Sequence, residues 1–233
     1  MKTVLCAAPE AVRAAAARLL EGIGSKENAV LACSAGDDEL EVLRALAALA
    51  KERKLSLASL RVFAACEFEG LAPEDARSLR ARIAAALEGG GVRAEKLFAP
   101  SAEDCEGYDR TLEGSGGIDL ALLGLGINCR VAFNEPATPF SSRCHVQKLT
   151  DKSRRELAPA FGGEEHVPTR GVTLGFQSLC FARDIVVIAL GEERSEAVFN
   201  ALYGRDDSVC PGAFLQIPPN VTLYADYAAG AKL

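Results

Sequence analysis

The chain has 233 residues, 49% of them hydrophobic and 25% charged, with a net charge of −6. That is enough apolar material for a substantial core in a single domain spanning residues 1–233, and the acidic balance excludes the electrostatic footprint of a nucleic-acid binder or a polybasic membrane patch. No apolar span reaches membrane length and none follows the N-terminus as a signal core, so a cytoplasmic protein with no membrane partner is expected.

Strand-like and helix-like patterns alternate along the chain. Residues 3–7 read as a strand, and Pro9 opens a helix with Val12, Ala15, Ala16 and Leu19 at helical spacing. Residues 29–33 are a second, buried strand; Asp37 or Asp38 caps a helix carrying Leu40, Leu43, Leu46 and Ala50. A strand over 60–65 precedes a loop and a helix over 73–87, and 97–100 is a minor strand before a helix over 103–112. The continuous apolar run 120–123 reads as a strand buried on both faces. Residues 136–168 are turn-rich with one short helix at Asp151–Leu157, followed by a helix over 173–181, a strand over 185–190, a helix over 193–202, and late strands at 213–216 and 221–224. This alternation predicts an α/β fold of three layers, a mostly parallel, Rossmann-like sheet covered by helices.

The eight cysteines are Cys6, Cys33, Cys66, Cys105, Cys129, Cys144, Cys180 and Cys210, with no CxxC pair among them. They read as small thiols of a reducing compartment, and with only His145 and His166 beside them no metal site is expected.

The most informative stretch is 119–136, Asp-Leu-Ala-Leu-Leu-Gly-Leu-Gly-Ile-Asn-Cys-Arg-Val-Ala-Phe-Asn-Glu-Pro. Its strand breaks at Gly124-x-Gly126, where a backbone can approach a ligand, and Asn128, Arg130, Asn134 and Glu135 follow at the carboxyl end, where open α/β sheets bind ligands. The dinucleotide fingerprint is a poorer fit, since its third glycine is missing. The stretch resembles the signature of the glucosamine-6-phosphate deaminase/isomerase family, Gly-x-Gly-x-Asp-Gly-His-x-Ala-Phe-Asn-Glu-Pro. Asn128 stands in place of Asp, as in the galactosamine-6-phosphate isomerase-like branch; Cys129 replaces Gly and Arg130 replaces His.

The resemblance covers roughly residues 1–227. It includes Val167-Pro-Thr-Arg-Gly-Val-Thr-Leu-Gly175, Ile188-Ala-Leu-Gly-Glu-Glu-Arg194 and Phe214-Leu-Gln-Ile-Pro-Pro-Asn-Val-Thr-Leu223. It implies an amino-sugar-6-phosphate isomerase/deaminase of carbohydrate metabolism, working by acid–base catalysis without metal or cofactor. Its partner would be a small sugar phosphate or related carbohydrate, and a homo-oligomer is within the family's range. The family's base lies in Phe-x-x-Asp-Glu-Tyr/Trp; here Phe63-Ala-Ala-Cys-Glu-Phe68 puts Cys66 and Glu67 there, Cys66 being either a tuned thiol base or an inert replacement. Arg130 cannot shuttle protons, and either pairs with Glu135 or binds the substrate. The implied phosphate loop is Ser34-Ala-Gly36, opening a helix whose first turn, Asp37-Asp-Glu39, is acidic. Arg194 falls on the family's phosphate-binding lysine, and Arg170 is a further cation.

The sequence therefore nominates Cys66, Glu67, Asn128, Arg130 and Glu135 for catalysis, and Ser34, Gly36, Gly124, Gly126, Asn134, Arg170 and Arg194 for substrate binding. Because three acid–base positions are exchanged, the alternative expectation is a catalytically degenerate sugar-derivative binding or regulatory protein. A lactonase of the same fold ranks last, its Ser-Leu-Phe-Pro being absent.

Overall fold

The computed structural model describes residues 1–204 and 210–233. Its main sheet has seven strands: β1 (Lys2–Cys6), β2 (Val30–Cys33), β3 (Arg61–Ala64), β5 (Leu97–Phe98), β6 (Leu120–Gly124), β9 (Asp184–Ala189) and β10 (Val221–Asp226). They lie in the order β1-β10-β9-β6-β2-β3-β5, and every pairing is parallel. A smaller antiparallel sheet joins β4 (Cys66–Phe68), β8 (Arg170–Thr173) and β7 (His145–Lys148).

The central strands are uninterrupted apolar runs because they are covered on both faces: all of β2 and all but the ends of β6 and β9 are buried. Helices α1 (Ala8–Gly24), α2 (Asp37–Glu52), α3 (Leu79–Leu87), α4 (Cys105–Gly114), α5 (Asp151–Leu157), α6 (Phe176–Cys180) and α7 (Ser195–Tyr203) flank the sheet. Helix α2 shows the logic: Leu40, Leu43, Leu46 and Ala50 recur every three or four residues and are buried, and the helix stops where Lys54 turns to φ 55°. Each such fully buried leucine contributes roughly 1.5–3 kcal/mol of transfer free energy.

The amino end of the sheet is tied by Asp119, whose carboxylate accepts the Val30 N–H at 2.9 Å and pairs with Lys26 and Arg183. Among the described residues no helix is long and apolar enough to cross a membrane.

Four expected elements are corrected. The helix expected over 73–87 begins only at Leu79, because Ser78 and Glu67 cap it there. The expected strand 213–216 is a 3-10 helix, Pro211–Gln216, begun by a proline without an N–H to give a ladder. The expected helix 173–181 is the end of β8 followed by the short α6. The turn-rich region 136–168 contains, besides the expected helix, strand β7.

Candidate active site

Adjacent strands β9, β6, β2 and β3 bring four loops together at their carboxyl ends: Leu190–Arg194, Gly124–Arg130, Ser34–Gly36 and Ala65–Cys66. They surround a small cavity of about 50 Å³, walled by Ser34, Gly36, Asp38, Glu39, Cys66, Gly124, Gly126, Arg130, Glu156 and Arg194. That is room for a water molecule or two, not for a sugar, whose sites run to ~300 Å³ and more. The cleft is closed by its own side chains.

Glu156, on α5, closes it. Its carboxylate bridges Arg194 and Arg130, at 3.3 Å to the latter, and all three side chains are largely buried. Burial pulls the Arg194 pKa down, but Glu156 and Asp38 outweigh it and the guanidinium is held firmly charged. The Arg130 guanidinium also donates to the Ala132 carbonyl at 2.7 Å and lies over the Phe133 ring. The Nε–H groups of both Arg130 and Arg194 are buried with no partner among the described residues.

The expected Arg130–Glu135 pair does not form. Glu135, 1% exposed, instead accepts hydrogen bonds from Asn128 Nδ2 at 2.6 Å and from the hydroxyl and N–H of Thr150, the cap of α5. It fastens the motif loop to the helix that carries Glu156. Asn128 and Asn134 serve the same scaffold: Asn128 Nδ2 also reaches Thr150 and Ser153, and the fully buried Asn134 donates to the Val131 and Leu174 carbonyls.

That loop is contorted. Cys129, Ala132 and Ala137 hold φ of 66°, 52° and 68°, a left-handed region costing non-glycine residues roughly 1–2 kcal/mol each. Cys129 is held there by a disulfide to Cys210 and by the Gly212 N–H on its carbonyl at 2.8 Å. The expectation of eight free thiols is thereby corrected to six.

Two further nominations fall outside the cavity. Glu67 faces away, its carboxylate filled by the N–H groups of Phe68, Leu79 and Arg80 and the Ser78 hydroxyl, all at 2.8–3.0 Å. A residue so placed caps α3 and has no lone pair left for chemistry. Arg170, half exposed on β8, pairs with Glu69 at 3.0 Å. Cys66 does line the cavity, but burial pushes its thiol well above the usual range, with nearby Arg130 opposing, so it holds its proton at neutral pH.

The sequence reading missed Glu156, and took Asp38 and Glu39 for ordinary caps. Asp38 accepts the Leu190 N–H at 3.0 Å, and its carboxyl is pushed up to about 7 by burial first and by Glu39 second. Glu39, 6% exposed, reaches back to the Gly36 N–H at 3.4 Å. Among the described residues no cluster of three His, Cys, Asp or Glu side chains is placed to hold a metal ion.

A parallel sheet with a cleft at the loops of its central strands places the molecule in the Rossmann-like class of α/β proteins. A solved monomeric glucosamine-6-phosphate deaminase matches it with a TM-score of 0.95 at 28% identity, covering 99% of both chains. The 6-phosphogluconolactonase of Trypanosoma brucei shares the fold at a TM-score of 0.78 and 18% identity, over 100% of this chain and 98% of that one. No family model matches. The glucosamine-6-phosphate deaminase of Cutibacterium acnes is 34% identical over 100% of this chain and 92% of its own length. The chain belongs to the glucosamine-6-phosphate deaminase family.

Proposed function

We propose that the protein works in amino-sugar metabolism, taking a hexosamine phosphate in the cleft and carrying out aldose–ketose isomerisation by acid–base catalysis, with release of the amine as ammonia. The supporting observation is the pair of guanidinium Nε–H groups, on Arg130 and Arg194, buried without partners on side chains that wall the cavity. Arg61 and Arg154 have Nε–H groups in the same state away from the cavity, so what counts is the position of these two on its wall. Entry requires Glu156 to release the two guanidinia, after which both cations meet the substrate.

In the open-chain amino aldose, a base takes the proton from C2 and returns it to C1, while a proton passes from the amine nitrogen to O1, giving a C1 hydroxymethyl and a C2 imine. Water then adds to the resulting C2 imine, ammonia leaves, and the ketose remains. The transfer needs a group that both gives and takes a proton near neutral pH. We assign it to Asp38, on the wall of the cavity with a carboxyl at about 7, and assign Cys66 no part in it. Ser34, Gly36, Gly124 and Gly126 shape the binding surface.

Incubation with glucosamine 6-phosphate and galactosamine 6-phosphate, reading ammonia and ketose phosphate, tests this. Turnover is expected with at least one, lost about a hundredfold or more in Asp38→Asn and kept in Cys66→Ser. Binding by calorimetry without any ammonia would overturn the catalytic reading in favour of a sugar-binding protein.

A further inference from the structure

Helical spacing decides where the acid of α5 points. Ser153, Glu156 and Leu157 stand three and four residues apart and share one face, which is turned inward: Ser153 is buried, and Glu156 and Leu157 wall the cavity. Asp151, Lys152 and Arg155 are exposed on the other side. Lys152 lies one turn before Glu156, within reach of an ion pair along the helix. The carboxylate does not take it. Among the described residues its ion pairs are with Arg130 and Arg194, across the cleft.

Two loops supply the partners of that carboxylate. Arg194, after β9, donates to Oε1; Arg130 at 3.3 Å and the Ile127 N–H at 3.4 Å, on the glycine-broken segment after β6, donate to Oε2. Guanidinia converging with a backbone N–H make the donor set of an oxyanion site. Glu156 fills that set only in part, since the Nε–H of each guanidinium stays without a partner among the described residues. With the carboxylate gone, the two cations repel each other unless another anion takes its place. An oxyanion does so charge for charge, and water or an uncharged sugar does not.

We propose that Glu156 is an autoinhibitory side chain: in the closed cleft it stands in for the anionic end of the ligand on Arg130, Arg194 and Ile127, and a phosphate group binds by exchange with it. This rests on the ligand class proposed above and adds how the same site is regulated. Phosphate is admitted, but its apparent affinity is the intrinsic one scaled down by the fraction of molecules in which Glu156 has let go.

The test is calorimetric titration of the intact protein with inorganic phosphate at neutral pH. Glu156→Gln keeps the side-chain length and an acceptor for Ile127 but removes the charge, and should bind phosphate about tenfold more tightly than wild type, or better. Glu156→Asp keeps the charge but is too short to span both guanidinia, and should show a smaller gain in the same direction. Glu193→Gln removes an equal charge from the exposed residue just before Arg194, and should change affinity by less than about twofold. Circular dichroism checks that each variant is folded; if Glu156→Gln does not fold, Glu156→Asp carries the test alone. Phosphate affinity unchanged or lowered in the folded Glu156 variants overturns the inference. So does an equal gain in Glu193→Gln, which would mean a general field rather than occupancy. The titration reads no turnover. Ammonia release by wild type with no phosphate gain in the variants would sink the inference and spare the catalytic reading; a gain with no ammonia from any protein would do the reverse.

Discussion

Asp38 is the residue at which folding and the proposed chemistry meet. Its carboxyl is raised from 3.8 to about 7 in the folded protein. Below the unfolded value both states hold the proton and no penalty arises. As pH rises from about 4 to about 7 the unfolded chain ionises first, so stability falls across that window and stays reduced above it. A shift of this size corresponds to at most about 4 kcal/mol. Asp38→Asn keeps an acceptor for the Leu190 N–H and removes the titration. It should therefore raise Tm at pH 8, by an amount corresponding to about 1–3 kcal/mol, and leave Tm near wild type at pH 4. A Tm difference independent of pH would count against the buried, raised carboxyl. None of this is visible in Ser34-Ala-Gly-Asp-Asp-Glu39, where Asp37, Asp38 and Glu39 look like three equivalent caps. Their separation into surface ion pair, backbone acceptor and inward-folded acid depends on Leu190, just after β9, and on Gly124, at the end of β6.

At the level of elements, the continuous apolar runs of β2, β6 and β9 and the spaced leucines of α2 were readable, because burial on both faces or on one stripe leaves a direct pattern. Short elements were not. The three residues of β4 carry no period, and Phe214-Leu215 read as a strand although they belong to a helical turn begun by Pro211. Glu67 was misplaced for a related reason. Its position beside Cys66 suggested chemistry, while its actual partners lie eleven to thirteen residues further on, at the head of α3. Glu67→Ala should therefore cost stability, about 2–3 kcal/mol for a buried carboxylate accepting several N–H groups. Urea unfolding would measure it, and the affinity for sugar ligands should stay within twofold. Lost binding with unchanged stability would return Glu67 to the active site. Glu156 was out of reach altogether, since nothing in the Asn128–Glu135 motif announces a carboxylate on α5; the link runs through Thr150, and exists only once the chain has folded.

For the molecule as a whole, the α/β class and the edge at which the cleft sits followed from alternation and from the glycine break after β6, whereas the covalent tie between Cys129 and Cys210 did not. The two cysteines are 81 residues apart in sequence, and neither carries a recognisable spacing. The bridge joins the contorted motif loop to the residue just before Pro211, and it closes a long loop. Its loss should lower stability by about 2–4 kcal/mol. Calorimetry of Cys210→Ser, or of wild type with and without dithiothreitol, should show the transition moving down by several degrees; identical transitions would mean the bridge bears no load.

Gly124 has an ordinary backbone conformation and a crowded neighbour. An alanine there would put its Cβ 2.5–2.7 Å from the Glu39 carboxylate group, the far end of a flexible side chain, which would have to swing aside to admit it. The added methyl would thus be felt less by the strand that carries it than by the pose of the acid across from it.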